Sequence, residues 1–154
     1  MQIQTSNFWT DIITNRILIA SFFSWGGAQC IKIFSGLLRK ERFNFKWIMV
    51  TGGMPSAHSA SVSSLAASTG MVNGFGSVIF AVTAVFSLII MFDAQGLRRM
   101  AGLQAEALNR LIEDIYSNTG MQQQHLREVL GHTPVEVLMG AILGIFIAII
   151  VVTF

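Results

Sequence analysis

The last twenty residues, Val135 to Phe154, carry a single charge, Glu136, close to their start. As a helix rising 1.5 Å per residue, such a run is long enough to cross a hydrocarbon core of about 30 Å. Ile12 to Leu38 and Phe75 to Phe92 are two further apolar runs of similar reach. Within hydrocarbon each backbone N–H and C=O must be satisfied internally, and runs of this length point to helices rather than to the shorter strands of a barrel. With 53% hydrophobic and 12% charged residues in a chain of 154 and a mean hydropathy of +0.61, an ordinary soluble domain is excluded. The expected fold is all-α: a small polytopic membrane helix bundle of about four or five helices plus a cytoplasmic amphipathic helix, with residues 1–154 forming a single integral membrane domain.

Expected spans are 12–38, 55–72, 75–92 and 134–154, with cytoplasmic segments 39–54 and 93–133. Sidedness comes from the basic and aromatic patch Arg39-Lys40-Glu41-Arg42-Phe43-Asn44-Phe45-Lys46-Trp47, and again from Arg98 and Arg99, under the positive-inside rule. The first fifteen residues hold Asp11 and neither a basic n-region nor a small-residue cleavage pattern, so the first span is expected to remain in place. Within that span Lys32 reads as a snorkelling anchor rather than a substrate contact. Cys30 is the single cysteine, which excludes an intrachain disulfide and a cysteine-based zinc site. A formal charge of +2 without a basic stripe gives no expectation of nucleic acid.

Two short polar stretches carry the chemistry. In Gly131-His132-Thr133-Pro134-Val135-Glu136, Thr133 suits a helix N-cap, Pro134 the first helical position, and Glu136 the third, where it completes a capping box. Glu136 is left with two roles, cap acid or orienter of the His132 ring. In Thr51-Gly52-Gly53-Met54-Pro55-Ser56-Ala57-His58-Ser59, Pro55 suits a first helical turn whose free N–H groups form an anion site. The Ser- and Ala-rich helix that follows is expected to sit centrally, because small residues favour close interhelical packing. From Met100 to about Asn118 the pattern is amphipathic, with Leu108, Leu111, Ile112 and Ile115 interleaved with Glu106, Arg110, Glu113 and Asp114. Met121 to Leu130 reads as a short polar helix holding His125 and Arg127.

Counting spans brings Lys46, His58, Arg98, Arg127 and His132 to one face. Two histidines, several cations and two helix N-termini suit phosphoryl transfer: one imidazole attacks phosphorus, the other protonates the leaving oxygen, and the cations stabilise the equatorial oxygens. There is no metal-ligand cluster in this set, and no metal or cofactor is expected.

Pro55-Ser56-Ala57-His58 resembles the Pro-Ser-Gly-His motif of the type 2 phosphatidic acid phosphatases and vanadium haloperoxidases. Arg127 to Gly144 is similar to the last motif of that family, in which an Arg, a nucleophilic His, a Pro and an acid precede a Gly-containing membrane helix. Gly52 to Ala60, Asp93 to Ala105 and Leu130 to Ile145 together resemble the divergent branch of small bacterial and plastid membrane proteins related to these phosphatases. The resemblance implies that His132 is the nucleophile, His58 the general acid, and Ser56, Arg127 and Lys46 phosphate ligands; Glu136 stands where an Asp is usual. Ala57 replaces a Gly, the Arg127-to-His132 spacing is one residue short, and Trp47 to Met54 lacks the arginine of the family's Lys-and-Arg-Pro motif. Arg98 or Arg99 is expected to supply that missing fork, an inference from position and not a feature of the family pattern. The implied substrate is a lipid or isoprenoid phosphate, hydrolysed at the cytoplasmic face of a bacterial inner membrane or plastid membrane. The alternative is a non-catalytic phosphate-binding or scaffolding protein of the same shape. Glycine-rich helix faces leave room for a homodimer.

Overall fold

The computed structural model describes residues 7–38, 53–116 and 132–154, the side chains of 97–99 and 113–116 excepted. Lys46, His125, Arg127, Gly131, the basic-aromatic patch and the polar segment 121–130 lie outside the described residues, as does the side chain of Arg98. Among the described residues the elements are helices: α1 (Phe8–Thr14), α2 (Arg16–Leu38), α3 (Ala57–Asn73), α4 (Val78–Gln95), α5 (Leu97–Tyr116) and α6 (Pro134–Thr153).

Local side-chain chemistry sets the boundaries. Asn15 interrupts the first apolar run because its Oδ1 accepts the Ile17 and Leu18 N–H groups at 3.0 and 3.2 Å, so the long helix begins at Arg16 and not at residue 12. Ser56, with extended backbone, caps α3 by accepting the Ser59 N–H. Pro55 therefore precedes the cap instead of occupying the first turn. Gly74, at φ +87, closes the other end of α3 in a backbone region that L side chains rarely adopt. Ser77 caps α4 through the Phe80 N–H, and α4 runs three residues past the expected Phe92. Beyond it, bonds from Gly96 N–H to Phe92 and from Met100 N–H to Gly96 carry the helical pattern almost directly into α5. α2, α6 and the Val78–Ile112 stretch are long and apolar enough to cross a membrane.

α3 is the centre of the bundle and packs on α2, α4 and α6. Its buried positions are small: Ala57, Ser59, Ala60, Ser63, Ser64 and Ser68 are among them. Ser63 and Ser68 return their hydroxyls to the Ser59 and Ser64 carbonyls at 2.6 Å, which makes them fit for an apolar interior. Large apolar side chains such as Phe22, Phe34, Phe86, Ile89 and Phe146 face outward. That inversion is what a hydrocarbon surrounding calls for, since helix association there depends on close backbone approach.

Helix directions follow from three contacts. Arg16 Nη1 donates to the Val152 carbonyl at 2.7 Å, which sets the start of α2 beside the end of α6. A Cβ on Gly140 would strike the Ser56 carbonyl oxygen and one on Gly144 that of Ala60. The matching four-residue steps mean that α3 and α6 run parallel, with their N-termini at the same end. Ser87 Oγ donates to the Val62 carbonyl at 2.7 Å, seating the returning α4 on α3. Gly144→Val is expected to cost about 3 kcal/mol, because the obstruction is backbone that cannot yield cheaply. Gly26, where an added Cβ meets nothing within 4 Å, is the control. Gly26→Ala should leave the thermal unfolding midpoint in detergent unchanged or raised, whereas Gly144→Val lowers it by many degrees.

Candidate phosphoryl-transfer site

The start of α6 forms the capping box its sequence calls for. Thr133 is the N-cap with Pro134 in the first turn, its Oγ1 accepts the Glu136 N–H at 3.3 Å, and its N–H donates to Glu136 Oε2 at 3.0 Å. The same Oε2 lies 3.0 Å from His132 Nδ1. The two roles open for Glu136 are thus filled by one carboxylate oxygen, which caps the helix and orients the ring. An ionised carboxylate only accepts, so the hydrogen on this contact belongs to Nδ1 and the lone pair of the neutral ring lies on Nε2.

His132 is 2% exposed. Its backbone N–H donates to the Ala94 carbonyl at 3.1 Å, which fastens the end of α4 to the site. Its Nε2 is buried and has no hydrogen-bond partner among the described residues. An unpartnered polar atom of this kind in a buried ring costs stability that local packing does not explain.

His58 projects from the first turn of α3, half-buried, with its ring centroid 6.2 Å from that of His132 and the ring planes 62° apart. The pair is held at this separation by the backbone. Ser56 N–H donates to the Glu136 carbonyl at 2.9 Å, so the cap of α3 and the first turn of α6 are bonded directly. Ser56 is fully buried, and its Oγ accepts from both the Ser59 N–H and the Ser59 hydroxyl. Its own hydroxyl hydrogen remains available as a donor. The positive ends of two parallel helices therefore meet beside two imidazoles, an arrangement suited to an anion.

The structure brings His132, His58, Glu136 and Ser56 together where α3 and α6 begin. Arg98 follows four positions after Ala94, on the first turn of α5, so its backbone is close in sequence to the α4 end that bonds His132. Lys46 and Arg127 fall outside the described residues.

Lys32 was not expected at the site. Ala20, Ser24 and Ala28, every fourth residue of α2, are fully buried, and Lys32 is the next step along that inward stripe. It is partly buried and interacts electrostatically with Glu136. The spacing of small residues at 20, 24 and 28 was the available signal, because positions four apart share a helix face. Among the described residues no group of three or more His, Cys, Asp or Glu is gathered for a metal ion.

YuiD of Bacillus subtilis (strain 168), an uncharacterized membrane protein, is 36% identical to the chain over 155 residues, covering 94% of this chain and 98% of that protein. No solved structure matches the chain. The family profile described as the divergent PAP2 family matches residues 13–147, a range that contains His58, Ser56, His132 and Glu136 with all of α3 and the larger part of α6. A nearly full-length membrane relative and a match over most of the sequence agree, and the chain is a membrane protein belonging to the divergent PAP2 family.

Proposed function

We propose that the protein is a membrane phosphatase that hydrolyses a lipid or isoprenoid phosphate at the cytoplasmic face through a phosphohistidine intermediate. The observation that carries this reading is the state of His132: a buried ring tied by Nδ1 to Glu136, with an unpartnered Nε2, beside a second histidine. In the first step the Nε2 lone pair attacks phosphorus and the bond to the leaving oxygen breaks, while a protonated His58 gives that oxygen its proton. Glu136 stabilises the positive charge that the phosphorylated ring acquires. In the second step neutral His58 takes a proton from water as the water oxygen attacks phosphorus. The N–P bond breaks, its electrons return to Nε2, and inorganic phosphate leaves with His58 protonated again. First-turn N–H groups of α3 and α6 and the Ser56 hydroxyl are the candidate donors to the phosphoryl oxygens.

The cytoplasmic placement follows the positive-inside reading of Arg39 to Lys46 and of Arg98 and Arg99. The test is a phosphate-release panel over phosphatidate, phosphatidylglycerophosphate and polyprenyl mono- and diphosphates, with purified protein in detergent plus chelator. Turnover of at least one substrate is expected, and no release from any of them would remove the reading. Glu136→Gln, which keeps the shape of the side chain and removes its charge, is expected to lower that turnover by about 100-fold, measured on the best substrate of the panel.

A second reading draws on the sequence between Trp47 and Met54, where the arginine of the related phosphatases is lacking. On that reading the same cradle holds a phosphate head group without cleaving it, and saturable orthovanadate binding with no turnover across the panel would favour it.

A further inference from the structure

The proposed site places a carboxylate, Glu136, where a phosphate dianion must come, and two like charges at close range repel by several kcal/mol in a poorly solvated setting unless a cation joins them. Of the basic side chains the structure describes, Arg16 lies at the opposite end of the bundle on Val152, and exposed Arg110 pairs with Glu106 at 2.6 Å. Lys32, partly buried on the inward stripe of α2, is the one with an electrostatic interaction with Glu136.

Its position is fixed independently by packing. Ala28 clusters with Ala57 and Ala60 of α3, against Leu143 of α6. α2 is antiparallel to α6, because Arg16 bonds Val152, and so is antiparallel to α3 as well. One turn beyond Ala28 along α2 is therefore one turn toward the N-terminus of α3, at the level of the Ser56 cap. Lys32 also stands six positions before Leu38, the last residue of α2, or about 9 Å along the helix. A lysine with only a topological role needs no such depth, and an inward-facing ionisable group within a span calls for a partner or a ligand.

We propose that Lys32 binds the phosphate head group of the substrate, its ammonium bridging Glu136 and the phosphoryl oxygens at the level of the two helix caps. The ammonium has three donors, enough to serve the carboxylate and the anion together. Its depth below the end of α2 favours a phosphate carried on a lipid chain, which brings its head group to the site from the bilayer side, over a freely dissolved phosphomonoester. This rests on the phosphatase reading above for the identity of the anion, and its test is separable from that reading.

The experiment is titration of the full-length protein in detergent with orthovanadate and with inorganic phosphate, for wild type, Lys32→Met, Lys32→Arg, Glu136→Gln and the double variant Lys32→Met/Glu136→Gln. Thermal unfolding of each reports its folding. Lys32→Met is expected to weaken vanadate binding roughly 10- to 100-fold, the loss of one charge-assisted bond, while Lys32→Arg recovers most of it. The double variant separates anion binding from mere neutralisation of Glu136. If Lys32 holds the anion, the double variant stays at least about tenfold weaker than Glu136→Gln alone. Equal affinity of those two, or wild-type affinity in Lys32→Met, would overturn the proposal for Lys32 while leaving the phosphatase reading in place. Wild-type protein that binds neither anion and releases no phosphate would instead remove the phosphatase reading. If Lys32→Met does not fold, Lys32→Gln supplies the same comparison.

Discussion

His132→Ala protein is expected to lose phosphate release by about 10,000-fold or more while keeping its fold, because the change removes the atom proposed to form the covalent bond. The fold should persist for reasons visible in the local structure. His132 lies just before α6, its link to α4 is a backbone bond from its own N–H to Ala94, and the Thr133–Glu136 capping box does not involve the ring. The substitution leaves a small cavity and releases Glu136 Oε2 from one of its two contacts, a cost of about 1–3 kcal/mol that thermal unfolding would register as a modest drop. A turnover assay on the best lipid phosphate should fall to background in the same preparation. Activity near wild type would mean that the buried Nε2 is not the attacking atom.

His58→Ala carries the second large effect, and its signature is dependence on the leaving group. A general acid contributes about 100- to 10,000-fold where the leaving oxygen is a poor one. A lipid monophosphate, which expels an alkoxide, should therefore suffer that full loss. A diphosphate or an aryl phosphate expels a more stable anion and should lose much less in the first step. The ratio of the two losses is what distinguishes proton donation from simple damage to the site, which would slow both substrates alike. His58 is half-buried and makes its ring contact with His132 across the helix interface, so the substitution also removes packing beside His132. A uniform loss for both substrates would assign His58 to that packing role.

The parts of this architecture that were legible in the sequence are those settled by neighbours in the chain. Thr133, Pro134 and Glu136 specify a capped helix start by spacing alone, and α6 begins there. The Ser- and Ala-rich stretch after Ser56 reads as a central helix suited to close packing, and α3 is the element on which α2, α4 and α6 pack. Gly140 and Gly144 gave the close approach, although their partners, the carbonyls of Ser56 and Ala60, emerge only from the fold. Asn15 shows the opposite case. It lies inside the expected span 12–38, and its side chain caps α2 so that the long helix starts four residues later.

The place of Lys32 on the inward face of α2 was missed for a related reason. Charge near the end of a span is ordinarily topological, and the inward stripe of Ala20, Ser24 and Ala28 outweighs that rule only once the face of α2 is known. The role of Glu136 could not be settled from spacing either. Cap and orienter looked like competing uses of one carboxylate, and the geometry lets a single oxygen serve both because the Thr133 N–H and His132 Nδ1 converge on it. The Ser56 N–H bond to the Glu136 carbonyl is likewise tertiary, and it is what brings the two motifs, far apart in sequence, to one place.

On the proposed mechanism His132 becomes phosphorylated on Nε2. Rapid quenching of the full-length protein with a lipid phosphate labelled at phosphorus, followed by peptide mapping under alkaline conditions that preserve phosphohistidine, tests it most directly. An acid-labile, base-stable phosphoryl group is expected on the peptide containing His132, formed in wild type and in Glu136→Gln and lacking in His132→Ala. Steady release of phosphate with no labelled His132 peptide at any quench time, together with undiminished turnover in His132→Ala, would contradict it.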